Sequence, residues 1–108
     1  MALEDTNLVD AAGIERETGF VVLSLTDAWD WADEQEHLKA LQAKFNVYLG
    51  FVESGEILET FPEAAFKPIV FNWVCKQPLP AIGEDFLSHV SDVCKKVGIQ
   101  VRHVTFPG

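Results

Sequence analysis

Bases are scarce in this chain, cysteines scarcer, and long apolar runs are missing. Eight Lys and Arg stand against 17 Asp and Glu, a formal net charge of −9. A phosphate backbone is bound largely through Lys and Arg that displace counterions, so nucleic acid is not an expected partner. No apolar stretch approaches the roughly 18 residues of a membrane span, which sets membrane insertion aside. The opening Met1-Ala-Leu-Glu-Asp-Thr-Asn7 has neither the basic nor the apolar region of a secretion signal. A cytoplasmic protein is the expectation.

Cys75 and Cys94 are the only thiols. Without C-x-x-C spacing or a secretion signal they read as reduced, buried side chains rather than a redox pair. The common catalytic signatures are missing too: no G-x-x-x-x-G-K phosphate loop, no dinucleotide fingerprint, no H-E-x-x-H. Ser54 lacks a G-x-S-x-G setting and reads as a helix cap. No cofactor and no metal are expected, and the balance falls against an enzyme.

What is present is enough for a core. The 108 residues are 48% hydrophobic and 11% aromatic, which fits one domain over 1–108. Charge is uneven along it. Residues 1–66 hold 14 acids and 3 bases, whereas 67–108 hold 3 acids and 5 bases. A basic protein partner suits such a surface.

Alternation marks two strands, Leu8 to Arg16 and Phe20 to Thr26, around a turn closed by Gly19. A long helix starts near Asp33, where Asp33 and Glu36 form a capping-box pattern. Leu38, Leu41, Phe45, Leu49 and Val52 make its apolar stripe, Tyr48 lies at the edge, and Lys39 and Lys44 lie outside. Ser54-Gly55 ends it. Lys67 to Lys76 reads as a central strand with Ile69, Phe71, Trp73 and Cys75 on one side. A second helix opens at Glu84-Asp85, turns Phe86, Val90, Val93 and Val97 inward, and stops at Gly98. Ile99 to Phe106 is the last strand.

The order ββαβαβ, with right-handed crossovers, predicts an α+β two-layer sandwich: a four-stranded mixed sheet with two helices on one face. The other face would carry Phe20, Val22, Val70, Asn72 and Val74. That is more apolar surface than a monomer leaves open, so self-association or cover from residues 56–66 is expected.

One segment hints at a role. Asp27-Ala-Trp-Asp-Trp-Ala-Asp-Glu-Gln-Glu36 packs five acids and no base around Trp29 and Trp31. Carboxylates resist burial and indoles resist water, so the segment reads as a junction. Acids at a helix N-terminus are also ordinary, because the helix dipole favours them. The functional reading is an anchor patch for a basic partner, formed by Asp27, Trp29, Asp30, Trp31, Asp33, Glu34 and Glu36. An alternative is a small-molecule pocket between sheet and helices near Trp31, His37, Tyr48 and Trp73. Asp33 and His37 share a helical face, but two ligands alone are a weak metal signal. His89 and His103 read as core-edge histidines beside inert thiols.

The chain resembles a group of small bacterial proteins of unknown function. The likeness rests on Thr6-Asn7, Val9-Asp10, Glu17-Thr18-Gly19, Val22-Leu23, Asp30-Trp31 and His37-Leu38. It continues through Leu41-Gln42-Ala-Lys44, Asn46, Tyr48-Leu49, Phe51-Val-Glu53-Ser54-Gly55-Glu56, Pro62 and Ile69 to Val74. The resemblance implies a stand-alone cytoplasmic domain and brings no established activity. The function expected is therefore that of an acidic, non-enzymatic interaction protein, binding a basic partner or itself. An inhibitor or immunity-type role would suit such charge.

Overall fold

The structure, a computed structural model, describes residues 9–105. Leu8 and Phe106, at the ends of two expected strands, and Thr6-Asn7 lie outside the described residues. The sheet holds β1 (Ala11–Ile14), β2 (Val21–Asp27), β3 (Ile69–Cys75) and β4 (Ile99–Thr105) in that spatial order. β1 and β2 are antiparallel; β2, β3 and β4 run parallel. Helices α1 (Glu34–Glu53) and α3 (Ala81–Lys95) supply the two crossovers. A short helix, α2 (Glu56–Thr60), and a 3-10 turn (Pro62–Ala65) complete the first of them. The α+β fold with a four-stranded mixed sheet is therefore present, with one short helix beyond the two expected.

Local chemistry accounts for the element ends. The first hairpin closes where Gly19 takes a φ of 76°, and its amide donates to the Glu15 carbonyl at 2.8 Å. Glycine reaches this left-handed conformation without a Cβ clash. The Asp33 carboxylate accepts from the Glu36 amide at 3.1 Å, so α1 starts at the expected cap.

The core lies between one sheet face and the helices. Val21, Leu23, Leu25, Phe71, Trp73, Cys75 and Ile99 meet Leu41, Phe45, Tyr48, Ile57, Val90 and Cys94 there. Phe45 ties the layers together, with ring contacts of about 6 Å to Phe71, Trp73 and Phe86. Both long helices thus cover the same face.

Two expected stripes are rotated. In α1 the buried residues are His37, Leu41, Lys44, Phe45 and Tyr48, so Lys44 faces inward rather than out. A carboxylate waiting inside, that of Asp10, makes that burial tolerable. In α3 the buried residues are Gly83, Val90 and Cys94, whereas Val93 is 38% and Val97 50% exposed. The helix also begins earlier, at Ala81, with Pro80 as its cap.

The second sheet face is less open than alternation suggests. Val70 lies on it yet has no exposed surface. Register makes Phe20 and Arg102 its diagonal neighbours, and the Arg102 guanidinium sits 6.0 Å from the Phe20 ring. Arg102 then donates to the Glu15 carboxylate through Nη1 and Nη2, at 3.0 and 3.3 Å. The hairpin turn and an arginine from the far edge therefore shield Val70. Residues 56–66 do not take that part: Ile57 joins the helix-side core.

Candidate functional site

The acidic tryptophan segment lies where β2 ends and α1 begins, at the carboxyl end of the parallel strands. Its anchor is Asp27, which is 1% exposed and so does not turn outward with the other acids. Asp27 Oδ2 lies 2.6 Å from His37 Nε2 and accepts from the Trp73 indole N–H at 3.1 Å. Its Oδ1 accepts the Trp29 amide at 3.1 Å. A buried carboxylate survives only when its oxygens are satisfied in this way.

His37 is fully buried, and its Nδ1 lies 2.9 Å from the Asp30 carbonyl. A carbonyl only accepts, so Nδ1 carries a proton. The remaining bond is either imidazolium to carboxylate or carboxylic acid to neutral imidazole. In both cases the pair is neutral overall, which reconciles it with its burial. Because both ring nitrogens are engaged inside the protein, the pair has the parts of a catalytic dyad without a free base. The same engagement removes His37 from the Asp33–His37 metal arrangement.

Aromatic rings close over this pair. Trp31 stacks on His37 at 3.7 Å between centroids, and Trp29 approaches the same ring at 5.6 Å, tilted. Both indoles are half-buried and pack against the core edge. Trp31 also presses on the first turn of α3. A Cβ on Gly83 would lie 3.1 Å from Trp31 Cζ2 and 3.1 Å from Leu79. Around the rings, Asp30, Asp33, Glu34 and Glu36 are exposed. Thus six of the seven anchor-patch residues border solvent, and Asp27 holds the patch from below.

Of the alternative pocket residues, His37 and Trp73 bond to Asp27 and Trp31 stacks on His37, but Tyr48 lies apart from them. Tyr48 belongs to a second buried network that sequence reasoning missed. Its hydroxyl accepts the Asp10 amide at 2.8 Å and donates to the Ser24 carbonyl at 2.6 Å. Burial, with the Asp10 charge adding to it, raises the phenol well above its usual range against the opposing Asp10 amide bond. Asp10 receives Lys44 Nζ at 2.7 Å and the Thr26 amide at 3.0 Å. Lys44 shares a helical face with His37, Leu41 and Tyr48.

The thiols are free and buried, as expected. Burial, reinforced by the Asp27 charge, pushes Cys75 up to about 12, and burial pushes Cys94 up to about 11. Burial thus favours the neutral thiol at both positions. His103 stacks edge-on to Trp73 at 5.4 Å, with its Nε2 buried and unpaired. His89 is exposed, on a groove between α1 and α3 lined by Gln42, Phe45 and Asn46. Among the described residues, no group of three or more His, Cys, Asp or Glu is placed to hold a metal, and no helix is long and apolar enough to cross a membrane.

Residues 1–106 match the model of a family of unknown function, DUF6572. The chain belongs to that family. Comparison with curated proteins and with solved structures finds no match.

Proposed function

We propose that this protein is a non-enzymatic interaction domain that docks a basic segment of a protein partner on its acidic, indole-bearing rim. One observation carries the reading: Trp29 and Trp31 are only partly buried, in a segment whose Asp30, Asp33, Glu34 and Glu36 are exposed. Indoles with an accessible edge are frequent binding anchors, and a carboxylate rim attracts Arg and Lys while repelling acidic competitors. The buried Asp27–His37 pair fixes the rings beforehand, which lowers the ordering cost of docking. The free thiols fit a reducing compartment such as the cytoplasm.

The test separates docking from folding. Trp31 stacks on a buried ring, so its removal would disturb both. Glu34 and Glu36 are exposed, and their charge can be reversed with little effect on the core. Capture from native lysate should retain a basic protein on the wild type and lose it on Glu34→Lys/Glu36→Lys. Equal retention by both proteins would rule out the rim as the docking surface.

A second reading is favoured by His103 alone. Its buried, unpaired Nε2 beside Trp73 would suit a small hydrogen-bonding ligand at the carboxyl end of the sheet. Thermal-shift screening of small polar compounds on wild type and His103→Phe separates this reading from rim docking: stabilisation lost only in the variant would support it.

A further inference from the structure

β4 is an outer strand, and among the described residues its seven positions pair only with β3. An unpaired edge is a template for another strand, and folded proteins blunt it with shortness, proline, lysine, bulges or inward charge. The opposite edge is blunted by shortness, since β1 has four residues. β4 lacks these devices. Its sequence, Ile-Gln-Val-Arg-His-Val-Thr, holds neither Pro nor Lys, and its register with β3 is unbroken from Ile69↔Ile99 to Cys75↔Thr105. Its one permanent charge, on Arg102, is drawn back over the sheet by Glu15. Beside the edge runs an open groove of about 380 Å³ lined by Ser91, Lys95, Ile99 and Val101 among others.

We infer that the β4 edge binds a second copy of this chain by antiparallel, two-fold pairing, which makes one continuous sheet of two four-stranded halves. Charge along α3 selects this occupant. α3 runs back along β4, so Lys95 and Lys96 lie at the Ile99 end and Glu84 and Asp85 at the Thr105 end. The influence of Glu84 on His103 agrees with that placement. Two-fold pairing sets the basic end of each α3 against the acidic end of the other, twice over. β4 is about 23 Å long and α3 about 22 Å, so strand and helix present edges of matching length. A parallel pairing, or an acidic peptide in the groove, leaves one end of α3 unmatched.

Keeping both helical layers on the same side restricts the register to partners of equal parity. Full overlap then places Gln100 opposite Val104 and Val101 opposite His103, with Arg102 on the axis. Two arginines meeting there are tolerable because each is already neutralised by its own Glu15. These observations are separate from the acidic rim, and the inference stands without it.

Analytical ultracentrifugation over a wide concentration range tests it. Wild type should show a monomer–dimer equilibrium. Gln100→Lys/Val104→Lys places like charges opposite each other at two points and should weaken the dimer by roughly tenfold or more. That variant lowers the net negative charge, so a general electrostatic effect would move the equilibrium the other way. Gln100→Glu/Val104→Lys sets opposite charges across the same two points and should keep the dimer, with circular dichroism confirming the fold of each. A monomeric wild type, or a Lys/Lys variant that dimerises unchanged, overturns the inference. A folded but monomeric Glu/Lys variant overturns the register and with it the pairing described.

Discussion

His37 Nε2 lies 2.6 Å from Asp27 Oδ2, both side chains are 1% exposed, and this one contact joins the end of β2 to the first turn of α1. It closes a short loop that would otherwise be held mainly by its own backbone. The two indoles sit on that closure. Their orientation is therefore decided by a polar contact beneath them rather than by apolar packing alone.

Removing Asp27 should be costly. Asp27→Ala leaves the His37 ring and the Trp73 indole N–H without their acceptor. Loss of one member of a buried pair costs about 3–5 kcal/mol, a large part of a small domain's stability. Urea denaturation should show an unfolding free energy lowered by that amount, read as a lower midpoint at an unchanged slope. A loss under about 1 kcal/mol would mean that the contact is weak or replaced by water.

Lys44 and Asp10 should behave as a coupled pair. Lys44→Met keeps the length of the side chain but strips the charge that faces Asp10 at 2.7 Å. Single substitutions at either position should destabilise by about 2–4 kcal/mol, and Asp10→Asn/Lys44→Met by clearly less than their sum. Strict additivity in the double-mutant cycle would contradict the pairing.

Gly83 offers a local probe of the rim. An alanine in a helix normally stabilises by about 1 kcal/mol relative to glycine. Here the new methyl would stand 3.1 Å from Trp31 Cζ2 and from Leu79. Gly83→Ala should therefore fail to stabilise, and Trp31 should swing outward with a red shift in tryptophan emission. Stabilisation with unchanged emission would show that Trp31 does not press on α3.

His103 should make stability depend on pH. Burial holds it below its ordinary 6.5, against the opposing charges of Asp27 and Glu84. The unfolded chain then takes up its proton first as pH falls. Stability from this group is full above the unfolded value and declines as pH drops from about 6.5 toward the lower folded value. His103→Phe should flatten that part of the profile just below neutral pH. An unaltered slope would assign the dependence to other groups.

Much of the fold was legible because it rests on periodicity. Alternation at Val21, Leu23 and Leu25, the cap at Asp33 and the glycine turns at Gly19, Gly55 and Gly98 each carry their own local signal. The polar interior was not legible. Asp10, Asp27 and Lys44 look like surface residues until their partners are placed, and those partners lie 10 to 46 positions away. Hydropathy penalises such residues one at a time, whereas the structure buries them in pairs. For the same reason Val70 read as exposed, since its cover, Arg102, arrives from the far end of the chain. The composition of the rim was visible in the sequence; the anchor that holds it was not.

The most direct test of rim docking is an NMR titration of the labelled protein with an arginine-rich decapeptide. The indole N–H signals of Trp29 and Trp31 and the amides of Asp30 to Glu36 should shift together and weaken in response as salt is added. The Trp73 indole N–H, buried against Asp27, should stay in place. Shifts confined to other acids, such as Glu59 and Glu63, with Trp29 and Trp31 unmoved, would contradict the account.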